Sequence, residues 1–342
     1  MSSNENNPSS ADRSRKRSAS ALHTGPRKKA ASSNPLVLHG RHFGRTVFSL
    51  CNYPALLTAG IPRLEELQDS HIEDYPAEVF MNLIDSYLGL LDRLMKGEEE
   101  DIIHVGELLG KGASGARGDD TKTLKSAVLE WIVPRGQVVI PPLSRNIKSD
   151  RGFNHEVTGA LLCPAGLDWS NIEAAKTAVS GDQWPVFLYA GYEYDSEDPW
   201  KGLLRSEILI FGYKHVFTSP SSVDKEPKAT RSGNAYLHGM KCVTQGSLAY
   251  IATQVRFSLS SSSVFSQYRH SHGLRKFYHS ILDLLEDPDE SEEVADLMTW
   301  WTRRIFPNSS SSLRSISKNS ALSKIREKLL LPCENGPPAG TN

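Results

Sequence analysis

The sequence predicts an all-α protein: an irregular multi-helix globular domain behind a disordered basic N-terminal tail. Three observations carry that prediction. Apolar residues recur at three-four spacing in at least four segments between residues 76 and 305, the period of a helix that buries one face. Alternation of period two, which a half-buried sheet needs, is nearly absent. Residues 1–34 hold almost no large apolar side chains, so burial would not offset the entropy lost on ordering them.

The domain organisation follows from composition. Residues 1–34 form the tail, residues 35–306 the helical domain, and residues 307–342 a linker, a short helix and a disordered end. The linker is marked by Pro307, Asn308 and a serine run, and the end by Gly and Pro.

Within the domain, residues 76–96 read as one helix, with Pro76 in its first turn and Gly97 just past its end. Val79, Phe80, Leu83, Ile84, Tyr87, Leu88, Leu91 and Met95 make its apolar stripe. Glu98, Glu99 and Glu100 suit the positive end of a second helix, with Ile102, Ile103, Leu108 and Leu109 on its buried side. A Gly-rich turn follows, and Asp119 or Asp120 is placed to cap a third helix running to Trp131 and Ile132, limited by Pro134. Residues 141–200, rich in Gly, Pro, Asp and Trp, predict short helices joined by ordered loops. Further helices are expected over 203–217, 236–259, 274–285 and 294–305, the last two stopped by Pro288 and Pro307.

Composition also narrows the class. Four cysteines, Cys51, Cys163, Cys242 and Cys333, show no paired spacing, so neither a disulfide framework nor a cysteine zinc site is indicated and a reducing compartment is expected. No apolar run is long enough for a bilayer and no secretory leader is apparent, so a soluble protein without a membrane partner is expected.

The chemistry-bearing patterns all have plain structural readings. Gly110, Gly112 and Gly115 spell GxGxxG, but a helix rather than a strand precedes them, so they read as a flexible helix connection and no nucleotide cofactor is expected. His270, His272 and His279 lack diagnostic metal spacing and read as solvated imidazoles; no metal is expected. The acids of residues 192–198 read as surface charge, Cys163 near His155 as a buried cysteine, and the Arg117–Asp119 triplet as chance. Lys214, His215, Arg231 and Asn234 form the best candidate polar pocket, although Ser219-Pro220 and Ser232-Gly233-Asn234 equally serve to cap and turn the chain.

Several motifs occur together: ARGDD at 116–120, GALLCPAGLDW at 159–169, WP at 184–185, YKHVFTSP at 213–220, ATRSGN at 229–234 and ATQVRF at 252–257. On these the chain resembles, over roughly residues 106–307, an uncharacterised family of mushroom-type (basidiomycete) fungal proteins, a domain of unknown function. The resemblance implies no activity and no catalytic residues.

The tail carries the sharpest signal. It has seven Lys/Arg against two acids in a chain of net charge −1. Arg15, Lys16 and Arg17 are separated by nine residues from Arg27, Lys28 and Lys29, like a bipartite nuclear-import signal. The expectation is therefore a non-enzymatic intracellular protein in the nucleus, with the cytoplasm as alternative, engaging an import carrier and an unknown protein or nucleic-acid partner. The rival is an enzyme or ligand-binding protein using the polar pocket. Any nucleic-acid binding is expected to be weak, sequence-independent and confined to the tail, because the folded part has no recognisable reading motif.

Overall fold

The computed structural model describes residues 34–64, 75–134, 136–170, 183–223, 233–263 and 272–307, and they contain eleven α-helices and no strand. The all-α expectation holds. Among these residues no helix is long and apolar enough to cross a membrane.

Helix α1 (Pro35–Thr46) starts where Asn34 accepts the Leu36 amide at 2.9 Å and Pro35 occupies the first turn. It buries Leu36, Gly40, Phe43 and Gly44. Helix α2 (Tyr53–Gly60) is started the same way by Asn52 and Pro54.

The single helix expected over 76–96 is two. Helix α3 (Tyr75–Asp85) and α4 (Leu90–Lys96) are parted by a turn in which Gly89 takes φ +79° and Ser86 bonds back to the Leu83 carbonyl. The broken stripe leaves Leu88 100% and Met95 59% exposed. An apolar side chain at the right spacing did not outweigh a glycine free to adopt the left-handed region.

The reverse correction applies downstream. The second and third expected helices are one, α5 (Glu99–Trp131), 33 residues long and so about 50 Å. It opens on Glu99, Glu100 and Asp101 as its positive end requires, and it runs straight through the GxGxxG glycines. Of these, Gly112 is a contact point rather than part of a connection. A Cβ on Gly112 would run into the Val37 backbone, one on Gly40 into the Leu109 backbone, and one on Gly106 would lie 2.6 Å from Pro54. Here α1 and α2 meet α5 at backbone-to-backbone distance, so the helical cost of about 1 kcal/mol per glycine is offset by packing. Asp119 and Asp120 lie inside this helix and cap nothing.

Among its described residues, 141–170 and 183–200, the middle runs in loops, short turns and one short helix, α6 (Glu156–Leu162), capped by the His155 ring, which accepts the Val157 amide at 3.1 Å. Helix α7 (Glu207–Tyr213) passes into a wider π turn, Lys214–Thr218, then a capping box built by Ser219 and Ser222. The helix expected over 236–259 is also divided. Helix α8 (Asn234–Leu237) ends near Gly239 at φ +65°, and Thr244 then caps α9 (Gln245–Leu259).

Helix α9 is the axis of the fold. Leu248, Ala249, Ile251, Ala252, Val255 and Leu259 are fully buried, and it contacts α1, α5, α6, α7 and α10. Helices α10 (His272–Glu286) and α11 (Ser291–Ile305) close the body, and the buried Trp301 donates its indole N–H to the Leu204 carbonyl at 2.9 Å.

Candidate functional site

The densest polar assembly in the interior is built by residues far apart in sequence. Arg45 on α1 reaches across the glycine contact to Asp120 on α5 in a two-pronged ion pair, Nε to Oδ2 at 2.7 Å and Nη2 to Oδ1 at 2.8 Å. Both side chains are buried. Tyr250 on α9 donates to Asp120 Oδ2 at 2.6 Å, Gln254 donates to the Tyr250 hydroxyl at 3.1 Å, and Thr121 donates to Gln254 Oε1 at 3.0 Å. Burial pushes the Tyr250 hydroxyl well above its ordinary range, so it stays a neutral donor. Burial opposes the Arg45 charge, but the bond and charge of Asp120 more than compensate and raise its pKa. A buried pair satisfied on every side in this way is a clamp between α1, α5 and α9.

Of the sequence-derived pocket, Lys214, His215 and Asn234 lie among the described residues, each with its own neighbours. Asn234 joins the clamp, accepting from Arg45 Nη1 at 3.4 Å and donating to the Val216 carbonyl at 2.6 Å. His215 stands edge-on to Trp131, ring centres 5.6 Å apart, with Nε2 buried and lacking a hydrogen-bond partner. Its pKa is lowered by burial, against the pull of Asp120 and Glu130. Lys214, one position earlier, has Arg304 of α11 as its electrostatic neighbour and is lowered first by burial and then by that cation. Arg231 lies outside the described residues, as do the tail residues Arg15, Lys16, Arg17, Arg27, Lys28 and Lys29.

Beside the clamp, three histidines meet where α8 leans on α1. The rings of His42 and His238 stack at 4.2 Å, and His39 bonds Ser86 at 3.2 Å. Burial first, and then the charge of His238, push His39 and His42 down to about 4. An unfolded histidine titrates near its ordinary value of 6.5. As pH falls through 6.5 the unfolded chain takes up protons that the folded one refuses, so stability drops until about pH 4 and these rings add no further loss below it. Thermal melts across that window are expected to show the drop, and His42→Phe, which keeps a ring against His238, to flatten it. Equal slopes for the two proteins would refute the assignment.

Other candidates resolve into structure. Cys163 is buried with Sγ 3.5 Å from the Leu167 carbonyl, and both ring nitrogens of His155 are engaged, Nδ1 by its cap and Nε2 by the Pro141 carbonyl at 2.8 Å. Lys148 and Arg151 hold carbonyls at the negative end of α9: Lys148 Nζ reaches those of Phe257 and Ser262, and Arg151 reaches that of Ser258 at 2.8 Å. Arg117 donates to the Ser49 carbonyl at 3.0 Å and is buried, while Gly118 and Asp119 of the same triplet are exposed. In the acidic run, Asp195 pairs with Lys201 at 2.9 Å. Among the described residues no group of three His, Cys, Asp or Glu is placed to hold a metal; His270 lies outside them.

One surface site went unread in the sequence. Arg205, Asp296, Thr299, Trp300, Arg303 and Arg304 line a cleft of about 540 Å³. The guanidinium carbons of Arg205 and Arg304 stand 5.8 and 5.4 Å from the Trp300 ring centre. The signal available was Trp300-Trp301-Thr302-Arg303-Arg304, where aromatic and basic residues alternate on one helix.

A protein-family model, described as a family of unknown function, matches residues 111–306, close to the span over which the motifs showed a resemblance. No curated protein matches the chain, and no solved structure does.

Proposed function

The chain belongs to DUF6698, a family of unknown function, and on that premise we propose that it is a non-enzymatic recognition protein of the nucleus. In this reading the helical body holds a protein or nucleic-acid partner and the basic tail engages an import carrier. The motif resemblance adds a finer proposal, that the chain is one of the mushroom-type fungal members.

The observation that carries the reading is where the polar groups of the matched region point. Asp120, Asn234, Tyr250 and Gln254 bond to one another or to Arg45, and Lys148 and Arg151 bond to backbone carbonyls. A catalytic site keeps donors, acceptors or a base aimed at the place a reacting atom will occupy. Groups already filled from within stabilise one arrangement of helices instead. Residues such as these support a scaffold that presents a surface.

A second reading, ligand binding or catalysis around Lys214, His215, Arg231 and Asn234, draws on the buried His215 Nε2 that has no partner. His215→Phe tests it: on the recognition reading the variant folds and keeps every partner that full-length protein captures.

The nuclear address is tested directly. Residues 1–34 fused to a cytosolic fluorescent reporter too large for passive entry are expected to carry it into the nucleus, and Ala at Lys16, Arg17, Arg27, Lys28 and Lys29 to keep it out. A reporter that stays cytoplasmic with the intact tail favours the cytoplasmic alternative.

A further inference from the structure

The cleft beside Trp300 gathers arginines from two segments of the chain against one aromatic ring. The buried cations Arg45, Arg117, Lys148 and Arg151 are by contrast bound to carboxylates or carbonyls of the protein. Among the described residues, Arg205, Arg303 and Arg304 form no ion pair, and Asp296 is the carboxylate among the lining residues. Arg303 and Arg304 sit in the last turn of α11, where the helix dipole favours cations by a few tenths to about 1 kcal/mol. That accounts for two of the cations. It does not account for Arg205, which precedes α7 and lines the same cleft.

The chain's own ends do not complement the cleft. Residues 1–34 carry seven Lys/Arg against two acids, and residues 308–342 five against two. An outside anion is the complementary occupant, and the aromatic plane narrows its class. Phosphates spaced along a backbone suit several separate guanidinium groups, while an unpaired base can lie against indole or guanidinium faces, which an acidic peptide does not require and a duplex does not offer.

We propose that this cleft binds single-stranded nucleic acid, with Arg205, Arg303 and Arg304 on the phosphates and a base stacked at Trp300. The proposal rests on the reading of the body as a recognition module and names its partner class; it does not depend on the nuclear address. It adds a structured site to the sequence-independent attraction of the tail.

The test is fluorescence anisotropy with full-length protein in which Lys16, Arg17, Arg27, Lys28 and Lys29 are Ala, so that the tail contributes little. The probes are labelled single-stranded RNA and DNA of about 15 nucleotides, a size at the upper end of one-module sites, with a matching duplex and polyglutamate as competitors. Combining Arg205→Gln, Arg303→Gln and Arg304→Gln is expected to weaken single-strand binding by about tenfold or more and to flatten its salt dependence by about two units of log–log slope, near 0.7 per lost phosphate contact. Thr299→Glu alters an exposed side chain in the cleft and leaves the core intact, and it is expected to weaken binding in the same direction. Trp300→Phe is expected to retain more affinity than Trp300→Ala, with melting temperatures measured for each.

Unchanged affinity in the arginine and Thr299→Glu variants would overturn the proposal. Polyglutamate competing as well as the single strand would also overturn it while keeping a recognition function with an acidic protein partner. Duplex preference with no effect at Trp300 would remove the stacking and the single-strand assignment together.

Discussion

Asp120→Ala is expected to destabilise the folded protein by about 3–5 kcal/mol, the loss typical of removing one member of a buried ion pair. The deletion strands more than a charge. Arg45 is left buried with Nε and Nη2 unbonded, and the Tyr250 hydroxyl loses its acceptor at 2.6 Å while remaining fully enclosed by α9 and its neighbours. Single domains are stable by only about 5–15 kcal/mol, so the variant should shift the urea midpoint markedly or fail to fold. Urea denaturation followed by circular dichroism measures it. Replacing both ends, Arg45→Met with Asp120→Leu, is the informative companion, because it removes the stranded charge along with its partner and should recover most of the loss. A loss below about 1 kcal/mol in Asp120→Ala would mean that the pair is solvated and clamps nothing.

Gly112→Ala is the second large effect, and its sign can be checked within the same helix. Alanine normally favours a helix over glycine by about 1 kcal/mol. At Gly112 the added methyl has no room: it would meet the Val37 carbonyl and the Arg41 amide, backbone atoms that cannot rotate away, at the contact where Gly40 faces Leu109. Helix α1 would have to move off α5, and the expected loss is about 3 kcal/mol or more, at the severe end of overpacking. Gly118, six positions on, is exposed and a Cβ there meets nothing within 4 Å. Gly118→Ala is expected to stabilise the protein, by up to about 1 kcal/mol. If both substitutions stabilised, the close approach of α1 and α5 would be wrong.

These two cases show where sequence reading stops. Val294, Leu297, Trp301 and Ile305 are buried on one face of α11 as their spacing predicts, and Pro307 lies just past its end. Glycines carry no such direction. Gly89 and Gly239 end helical stretches that the apolar pattern would have continued, whereas Gly110 and Gly112 lie inside a helix that the sequence reading interrupts there. The residue type allows both outcomes, and the deciding term is whether another backbone comes close enough to need the missing side chain.

The same limit governs the candidate sites. Asn234 was marked for its polar surroundings, yet its partners are Arg45, 189 positions away, and a carbonyl 18 positions away. Arg45 was not singled out at all, because one arginine on an apolar helix reads as an ordinary surface charge until Asp120, 75 positions on, is set against it. Arg205 and Trp300 are likewise ordinary apart and a cationic aromatic cleft together.

By itself the sequence determined the helical class, the faces of α10 and α11, the short elements among the described residues of the middle, and the two basic clusters of the tail. Each is local: a period, a breaker or a composition acts within a few turns of chain. Only the tertiary structure decided that α5 is continuous, that Arg45 and Asp120 form a buried clamp with Tyr250, and that Arg205 joins Arg303 and Arg304 in the cleft beside Trp300. Those features depend on desolvation and close approach between distant segments, and neither acts until the chain has brought them together.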